Sequence, residues 1–202
     1  MRPSRRGLVP PFIAMDVLRA ANAREAAGHR VIHLEVGQPG TPAPAAVREA
    51  ARAALETERI GYTDAGGVAM LRETIARHYR AQYGVAVDPA EVFVTTGSSG
   101  AFQLVFLAAF EPGDRVALAA PGYPAYRNIL SALGLETVLV EVGENGHYQP
   151  NPELLGGIPD LAGLIVASPA NPTGTMIAPA DLRRLYDYCR GRGIRLVSDE
   201  IY

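Results

Sequence analysis

The 202-residue sequence contains no lysine, because all 19 residues counted as lysine or arginine are arginines. An arginine guanidinium stays protonated and is not a nucleophilic amine, so the only primary amine in the chain is its N-terminus. Covalent catalysis by a lysine that forms a Schiff base is therefore excluded within these residues.

Other absences narrow the class of partner. The net charge is −2 and there is no dense basic block beyond the arginines near the N-terminus, so neither nucleic acid nor an anionic membrane is expected. No window approaches the roughly 20 apolar residues that span a bilayer. Pro10, Pro11 and Asp16 interrupt the one segment that resembles a signal peptide. The four scattered histidines lack metal-ligand spacing. A small-molecule ligand and no metal are the expectations.

Cys189 is the only cysteine, so no internal disulfide can form. This is typical of a protein in a reducing compartment, and we predict a cytoplasmic location. Cys189 also lies at helical spacing from Leu182, Leu185 and Tyr186. That spacing predicts a buried, small apolar residue and not a reactive thiol.

Short apolar, β-branched runs alternate with segments of helical periodicity along the chain. This alternation predicts an α/β fold with a mainly parallel sheet covered by helices on both faces. The predicted strands are Val31–Val36, Val92–Thr95, Arg115–Ala119, Thr137–Val142, Gly163–Ala167 and Ile194–Ser198. The predicted helices are Ala45–Glu58, Val68–Tyr83, Ala101–Phe110, Tyr126–Leu133 and Pro179–Arg190. The polar, Gly- and Pro-rich segment 143–159 is expected to be a long surface excursion.

The segment Thr95–Gly100, with the sequence TTGSSG, follows a predicted strand and opens a predicted helix. Glycines permit a tight turn, hydroxyl groups donate hydrogen bonds, and free N–H groups at a helix start attract anions. A phosphate group would fit there. The alternative is an ordinary turn in which a serine is the N-cap residue.

Two further motifs follow predicted strands, at the edge where open α/β sheets bind ligands. In Pro121–Tyr126, prolines present an aromatic ring that would lie flat on a planar cofactor, unless Tyr123 packs in the core instead. In Ser168–Gly174, two X-Pro bonds are candidates for cis geometry. They would fix the loop and aim the amide of Asn171 into the same crevice.

Asp199 directly follows the last predicted strand. A buried carboxylate is costly unless it meets a cation or several donors. The protonated ring nitrogen of pyridoxal phosphate is such a cation, and an Asp partner keeps that ring an electron sink. Tyr202, three residues later, would reach the phenolic oxygen of the same ring. As an alternative, Asp199 would cap a following helix.

Taken in order, TTGSSGAFQL, PGYPAY, SPANPTG and SDEIY resemble the class I/II aminotransferases, the aspartate-aminotransferase-like branch of the fold-type I pyridoxal-phosphate enzymes. Gly37-Gln38-Pro39 resembles the substrate loop of that family, and the segment Gly61–Arg72 resembles its Tyr-x-x-x-Gly-x-x-x-Leu-Arg region. The resemblance extends from about Val31 to Tyr202. It implies the fold-type I large domain, pyridoxal 5'-phosphate as the cofactor, and transfer of an amino group between an amino acid and a 2-oxo acid.

The resemblance also implies roles by position. The implied cofactor-binding residues are Ser98, Ser99 and Gly100 for the phosphate, Tyr123 for stacking on the ring, Asn171 and Tyr202 for the phenolic oxygen, and Asp199 for the ring nitrogen. Tyr62 would reach the phosphate of the neighbouring subunit's cofactor, which implies a symmetric homodimer with shared sites. Gly37 would approach the substrate carboxylate through its backbone.

Two functional residues of the family have no counterpart here. They are the Schiff-base lysine, which lies shortly after the Asp-Glu-Ile-Tyr motif, and the arginine of the C-terminal small domain that binds the substrate carboxylate. The resemblance therefore implies an N-terminal portion, with an arm or helix over residues 1–30 and an incomplete cofactor-binding large domain over residues 31–202, truncated before both groups. We expect this portion to be inactive alone.

Two alternatives to the aminotransferase remain open. One is a carbon–sulfur lyase or decarboxylase of the same fold, which no residue before Tyr202 distinguishes from an aminotransferase. The other is a non-catalytic remnant that binds pyridoxal phosphate or a partner.

Overall fold

A computed structural model describes residues 2–202, without the side chain of Arg5. The contacts within the chain define two compact units. One consists of the residues up to Pro11 together with Thr95–Tyr202, and the other is Phe12–Val94. We describe each unit by itself.

The larger unit is built on a parallel sheet. Within the described residues its four strands are β1 (Arg115–Ala120), β2 (Glu136–Glu141), β3 (Leu161–Ala167) and β4 (Arg195–Asp199). They lie in the order β2-β1-β3-β4, and each neighbouring pair is parallel. The helices of this unit are α4 (Ser98–Ala109), α5 (Pro124–Leu133), the single turn α6 (Pro152–Leu155) and α7 (Pro179–Gly191). The predicted parallel α/β sheet is confirmed.

Helices cover this sheet on both faces, as the sequence predicts. Successive strand residues point to opposite faces, so in β1 Ala117 joins one core cluster while Val116 and Leu118 join the other. The first cluster contains Leu155 of α6 and residues of α7, and the second contains residues of α4 and α5. Cys189 lies in the first cluster with only 1% of its surface exposed, which confirms its predicted burial, and burial raises the pKa of its thiol. Strands buried on both faces are apolar along their whole length.

The smaller unit is helical. It contains α1 (Ile13–Ala26), α2 (Ala45–Thr57) and α3 (Ala69–Tyr83). The last of these ends at Gly84, whose left-handed backbone forms the C-cap. A side-chain bond from Arg72 Nε to the carbonyl oxygen of Pro89, 2.9 Å long, ties α3 to the segment that follows it. The backbone N–H of Val94 bonds to Gly66 in the same unit.

Two predicted strands are wrong, because neither Val31–Val36 nor Val92–Thr95 forms a strand. In the first segment the side chains of Ile32 and Leu34 are 77% and 91% exposed. In the second, Phe93 is 65% exposed. An alternating apolar pattern shows that one face can be buried, but a strand also needs a neighbouring strand to bond with its backbone groups.

The prediction that residues 143–159 form a long surface excursion is also wrong in part. Leu155 has no exposed surface, and Gln149 is only 6% exposed. The segment therefore enters the protein interior at both residues. Its glycines and prolines are suited to the turns that this path requires. Among residues 2–202, no helix combines the length and apolar character needed to cross a membrane.

A substitution at Gly163 of β3 tests the packing of the second core cluster. A Cβ atom at this position would overlap the ring of Phe110, which is 7% exposed. We expect Gly163→Ala to lower the free energy of unfolding by about 1–3 kcal/mol, the usual cost of overpacking. The measurement is denaturant unfolding followed by circular dichroism. Gly191→Ala is the matched control, because no atom lies within 4 Å of its Cβ position. Equal effects of the two substitutions would contradict this packing.

His33 of the smaller unit lies between two carboxylates, with Nδ1 2.6 Å from Glu35 and Nε2 3.2 Å from Glu25. The hydrogen bond to Glu35, and then that to Glu25, raise the pKa of His33. Because the folded-state pKa is raised, this contribution to stability is complete below pH about 6.5, the ordinary value. It is lost as the pH rises through the raised pKa. In an NMR titration we expect Glu35→Gln to lower the His33 midpoint and Glu49→Gln to leave it unchanged. An unchanged midpoint in Glu35→Gln would refute the assignment.

Candidate active site

The candidate site lies at the carboxyl ends of β1 and β3, which are neighbours in the sheet. From β1 the chain continues outward to β2, whereas from β3 it continues outward to β4 on the other side. This reversal is the topological switch point at which open α/β sheets bind ligands. A small cavity opens there, and its lining includes Gly122 and Tyr123 from the loop after β1 and Ala170 and Asn171 from the loop after β3.

The TTGSSG motif places a bare helix start in this unit. Helix α4 begins at Ser98, three residues earlier than predicted, and its N-cap residue is Gly97 with φ of 79°, a conformation that favours glycine. No described side chain caps the helix, so the alternative of a serine N-cap is not observed. Ser98 and Ser99 form the first turn with Gly100, where the N–H groups of a helix have no intrahelical acceptor. An anion is attracted to such a turn.

The loop after β1 and the first turn of α5 each contain a tyrosine that lines the cavity, Tyr123 and Tyr126. Tyr123 is half-buried and immediately precedes α5. Its ring meets the ring of Tyr126 edge to face, with centroids 5.4 Å apart and planes inclined by 81°. Tyr123 also packs against the second core cluster, as the alternative interpretation of this residue expects. The contact fixes the ring of Tyr123 beside the cavity that it lines.

The loop after β3 is held by its own hydrogen bonds. Both of its predicted candidates, Ser168-Pro169 and Asn171-Pro172, are cis peptides. The N–H of Ala170 donates to the carbonyl oxygen of Thr175 at 2.9 Å, and the N–H of Gly174 donates to Ala170 at 2.7 Å. Asn171 lies between these bonds and lines the cavity.

Asp199, at the end of β4, is only 8% exposed and has two donors. The hydroxyl group of Tyr126 donates to its Oδ2 at 2.5 Å, and the N–H of Ile201 donates to its Oδ1 at 3.1 Å. Burial first, and the bond to Asp199 second, raise the pKa of Tyr126 well above its ordinary value, so the phenol keeps the proton that it donates. The bond from Ile201 is a local bond between a backbone N–H and a side chain two residues earlier.

Tyr126 is the residue that the sequence interpretation misses. It occurs in the PGYPAY motif, but no local signal connects it to Asp199, which lies 73 positions later. Tyr126 also meets Phe102 of α4 edge to face, with ring centroids 5.0 Å apart. One buried side chain therefore contacts Tyr123, Asp199 and the first turns of the helix that begins with Ser98.

Of the residues singled out from sequence, the larger unit contains those expected to hold the cofactor's ring and phosphate. Tyr123 and Asn171 line one cavity, and Tyr123 is linked through Tyr126 to Asp199. Tyr202 is 71% exposed. Gly37 and Tyr62 belong to the smaller unit, where no atom lies within 4 Å of a Cβ built on Gly37 and the side chain of Tyr62 is fully exposed.

The chemistry of this set suits one kind of ligand. A bare helix start and hydroxyl groups attract a phosphate, an aromatic side chain offers a face to a planar ring, and a buried carboxylate favours a protonated ring nitrogen. The larger unit therefore contains the groups that a phosphorylated, nitrogen-containing aromatic cofactor would need.

A family comparison agrees with this class of site. The family model "Aminotransferase class I and II" matches residues 29–202, and the chain belongs to this family. Among curated proteins, the valine–pyruvate aminotransferase of Mycobacterium tuberculosis is 49% identical over 202 residues, which are 100% of this chain and 52% of that protein. The aspartate aminotransferase of Geobacillus stearothermophilus is 32% identical over 194 residues, covering 95% and 49% of the two chains. The chain thus spans about half the length of the curated relatives it matches.

Solved structures give the same result. An aminotransferase from Mycobacterium tuberculosis superposes with a TM-score of 0.96 at 49% identity, covering 100% of this chain and 52% of that one. The aspartate aminotransferase of Thermus thermophilus with maleate superposes with a TM-score of 0.94 at 33% identity, covering 100% and 54%. The predicted fold of the fold-type I aminotransferases is confirmed, and members of this family generally use pyridoxal phosphate.

The bond between Tyr126 and Asp199 can be tested by unfolding. Tyr126→Phe leaves a buried carboxylate without one of its two donors, and we expect the free energy of unfolding to fall by about 1–3 kcal/mol. Tyr83→Phe is the matched control, because Tyr83 is 63% exposed. The comparison is made by urea unfolding at neutral pH. If both variants change stability equally, the buried bond does not have the assigned role.

Proposed function

We propose that this chain supplies the cofactor-binding part of a pyridoxal-phosphate-dependent aminotransferase. Such an enzyme moves an amino group between an amino acid and a 2-oxo acid in two half-reactions. The observation that carries the proposal is the buried carboxylate of Asp199, which has Tyr126 as a fixed donor and lies in the same unit as the bare start of α4.

Each group of the proposed cofactor has a residue suited to it. Ser98, Ser99 and the backbone near Gly100 bind the phosphate through the uncapped first turn of α4. Tyr123 presents its ring face to the pyridine ring, held in place by its contact with Tyr126. These residues fix the two ends of the cofactor, so its ring cannot turn freely.

The polar edge of the ring has its own partners in this proposal. Asp199 accepts a hydrogen bond from the ring nitrogen and keeps the proton there, because a protonated nitrogen neutralises the buried carboxylate. Asn171 donates to the phenolic oxygen, and Tyr202 donates to the same atom. When bound, the cofactor supplies the electron sink that lets an amino acid lose the proton at its α-carbon.

The residue that accepts this proton in the family is a lysine, and the 202 residues contain none. We therefore expect these residues alone to bind cofactor without catalysing transamination. The family's substrate-binding arginine likewise has no counterpart among the residues assigned here. The domain division proposed from the sequence, an arm over residues 1–30 and a large domain from residue 31, belongs to this same proposal.

The choice of reaction follows the relatives. The two curated relatives described above are both aminotransferases, which favours transamination over the lyase or decarboxylase alternative. At 49% identity, the valine–pyruvate aminotransferase makes valine and pyruvate the first substrate pair to test.

The proposal includes the assembly. Tyr62 is fully exposed, so it is free to contact a second subunit, and we propose that it binds the phosphate of that subunit's cofactor in a homodimer. Gly37 would present its backbone to the substrate carboxylate. A cytoplasmic location completes the proposal, since amino acids and 2-oxo acids are available there.

Cofactor binding to the 202-residue chain tests the site. We expect pyridoxal phosphate to bind non-covalently and Asp199→Asn to weaken binding about 10- to 100-fold, the range for losing one charge-assisted hydrogen bond. Equilibrium dialysis with absorbance detection measures this. Asp187→Asn is the control, since Asp187 pairs with Arg183 on the exposed side of α7. Equal affinities of the two variants would contradict the assignment of Asp199.

Activity tests the reaction. The protein expressed from the whole gene is expected to form alanine from pyruvate with valine as the donor, whereas the 202-residue chain forms none above free pyridoxal phosphate. Borohydride treatment of the 202-residue chain should trap no adduct on a side chain, because it has no lysine. If the whole-gene protein binds cofactor but neither transfers an amino group from any amino acid nor cleaves or decarboxylates one, the non-catalytic alternative replaces the aminotransferase.

A further inference from the structure

Gln149 is a buried polar residue outside every motif described above. It lies between β2 and β3, is 6% exposed, and lines the same cavity as Tyr123 and Asn171. Its side-chain Nε2 donates to the carbonyl oxygen of Ala167 at 3.2 Å and to Thr175 at two atoms, the carbonyl oxygen at 3.0 Å and Oγ1 at 3.3 Å. All three partners are acceptors at this contact.

These partners lie at the two ends of one loop. Ala167 is the last residue of β3, and Thr175 follows Ser168–Gly174, the loop that carries Asn171. The carbonyl oxygen of Thr175 also accepts the N–H of Ala170 from inside the loop. The amide of Gln149 therefore connects the end of the strand to the point where the loop returns.

The two residues before Gln149 have an unusual backbone conformation that directs the chain toward the interior. His147 and Tyr148 have φ values of 50° and 55°, a left-handed conformation that is costly for residues other than glycine. Two consecutive residues of this kind turn the chain sharply out of the exposed stretch that precedes them. Gln149 is thereby placed at the edge of the sheet with its amide inside.

The residue type is specific. The three oxygen atoms around Nε2 accept hydrogen bonds, so the side chain at this position has to be a donor. A carboxylate there would face three oxygens without a proton to share. An apolar side chain of similar size would fill the space and leave the buried carbonyl oxygens without this donor. The hydrogen bonds therefore require an amide at this position, whereas the size of the space would also admit an apolar side chain.

We propose that Gln149 is a positioning residue, which holds the loop after β3 so that the amide of Asn171 faces the phenolic oxygen of the cofactor. This inference rests on the proposed function, because it assumes that pyridoxal phosphate binds beside Asn171. Gln149 acts through the loop and does not itself need to touch the cofactor.

The first test uses Gln149→Glu and the affinity of the 202-residue chain for pyridoxal phosphate between pH 5 and 8. The other titratable side chains that line the cavity are three tyrosines, with no carboxylate or histidine among the lining residues. A carboxyl group introduced at position 149 is therefore the group that titrates there. At pH 8 we expect Gln149→Glu to bind pyridoxal phosphate about tenfold more weakly than the parent chain. This difference in affinity should become smaller as the pH falls, because the carboxyl group then gains a proton that it can donate.

The control is Gln82→Glu, which adds the same charge at an exposed position on α3. Its affinity relative to the parent chain should stay constant with pH. A Gln149→Glu variant that binds as tightly as the parent at pH 8, or one whose loss does not change with pH, would overturn the positioning role.

The second test needs no cofactor. In Gln149→Leu we expect the amide protons of Ala170 and Gly174 to exchange with solvent about tenfold faster, while the amide proton of Leu135, bonded to Leu130, exchanges as before. Unchanged exchange at Ala170 and Gly174 would overturn the inference. If the parent chain fails to bind pyridoxal phosphate, the proposed function fails instead, and this exchange measurement still decides whether Gln149 holds the loop.

Discussion

The hydrogen bond from Tyr126 to the buried carboxylate of Asp199, 2.5 Å long, is the interaction on which the proposed site depends. A carboxylate loses much of its hydration at this depth and is tolerated only with compensating donors. Tyr126 provides one donor, and its ring contacts Phe102 and Tyr123. The cost of burying one charge is thereby offset by a group that also arranges the neighbouring aromatic side chains.

The parallel sheet explains why such distant residues meet. In a parallel sheet all carboxyl ends point to one edge, so the loops after β1 and β3 and the end of β4 converge although they are far apart in sequence. The central strands are buried on both faces and are therefore rigid. Loops anchored on such strands can hold polar side chains with little freedom, and this favours precise contacts with a small cofactor.

The sequence predicts β1 and β3 because strands buried on both faces form short apolar runs, and it predicts α7 from its periodicity. It fails at Val31–Val36, because alternation of apolar residues does not show whether a partner strand exists. Tyr126 and Gln149 escape prediction for a different reason. Their partners lie 73 positions away for Tyr126 and 18 and 26 positions away for Gln149, so only the folded chain brings them together. The roles of Gly37 and Tyr62 stay predictions from the resemblance.

The central claim is that Asp199 and the first turn of α4 hold the two ends of one pyridoxal phosphate molecule. A crystal structure of the chain with this cofactor tests it most directly. We predict the phosphate at the N–H groups of Ser98 to Gly100 and the ring nitrogen within about 2.7–2.9 Å of a carboxylate oxygen of Asp199, the range of a charge-assisted hydrogen bond. A phosphate bound elsewhere, or a ring nitrogen that faces solvent with Asp199 still bonded only to Tyr126 and Ile201, would contradict the account.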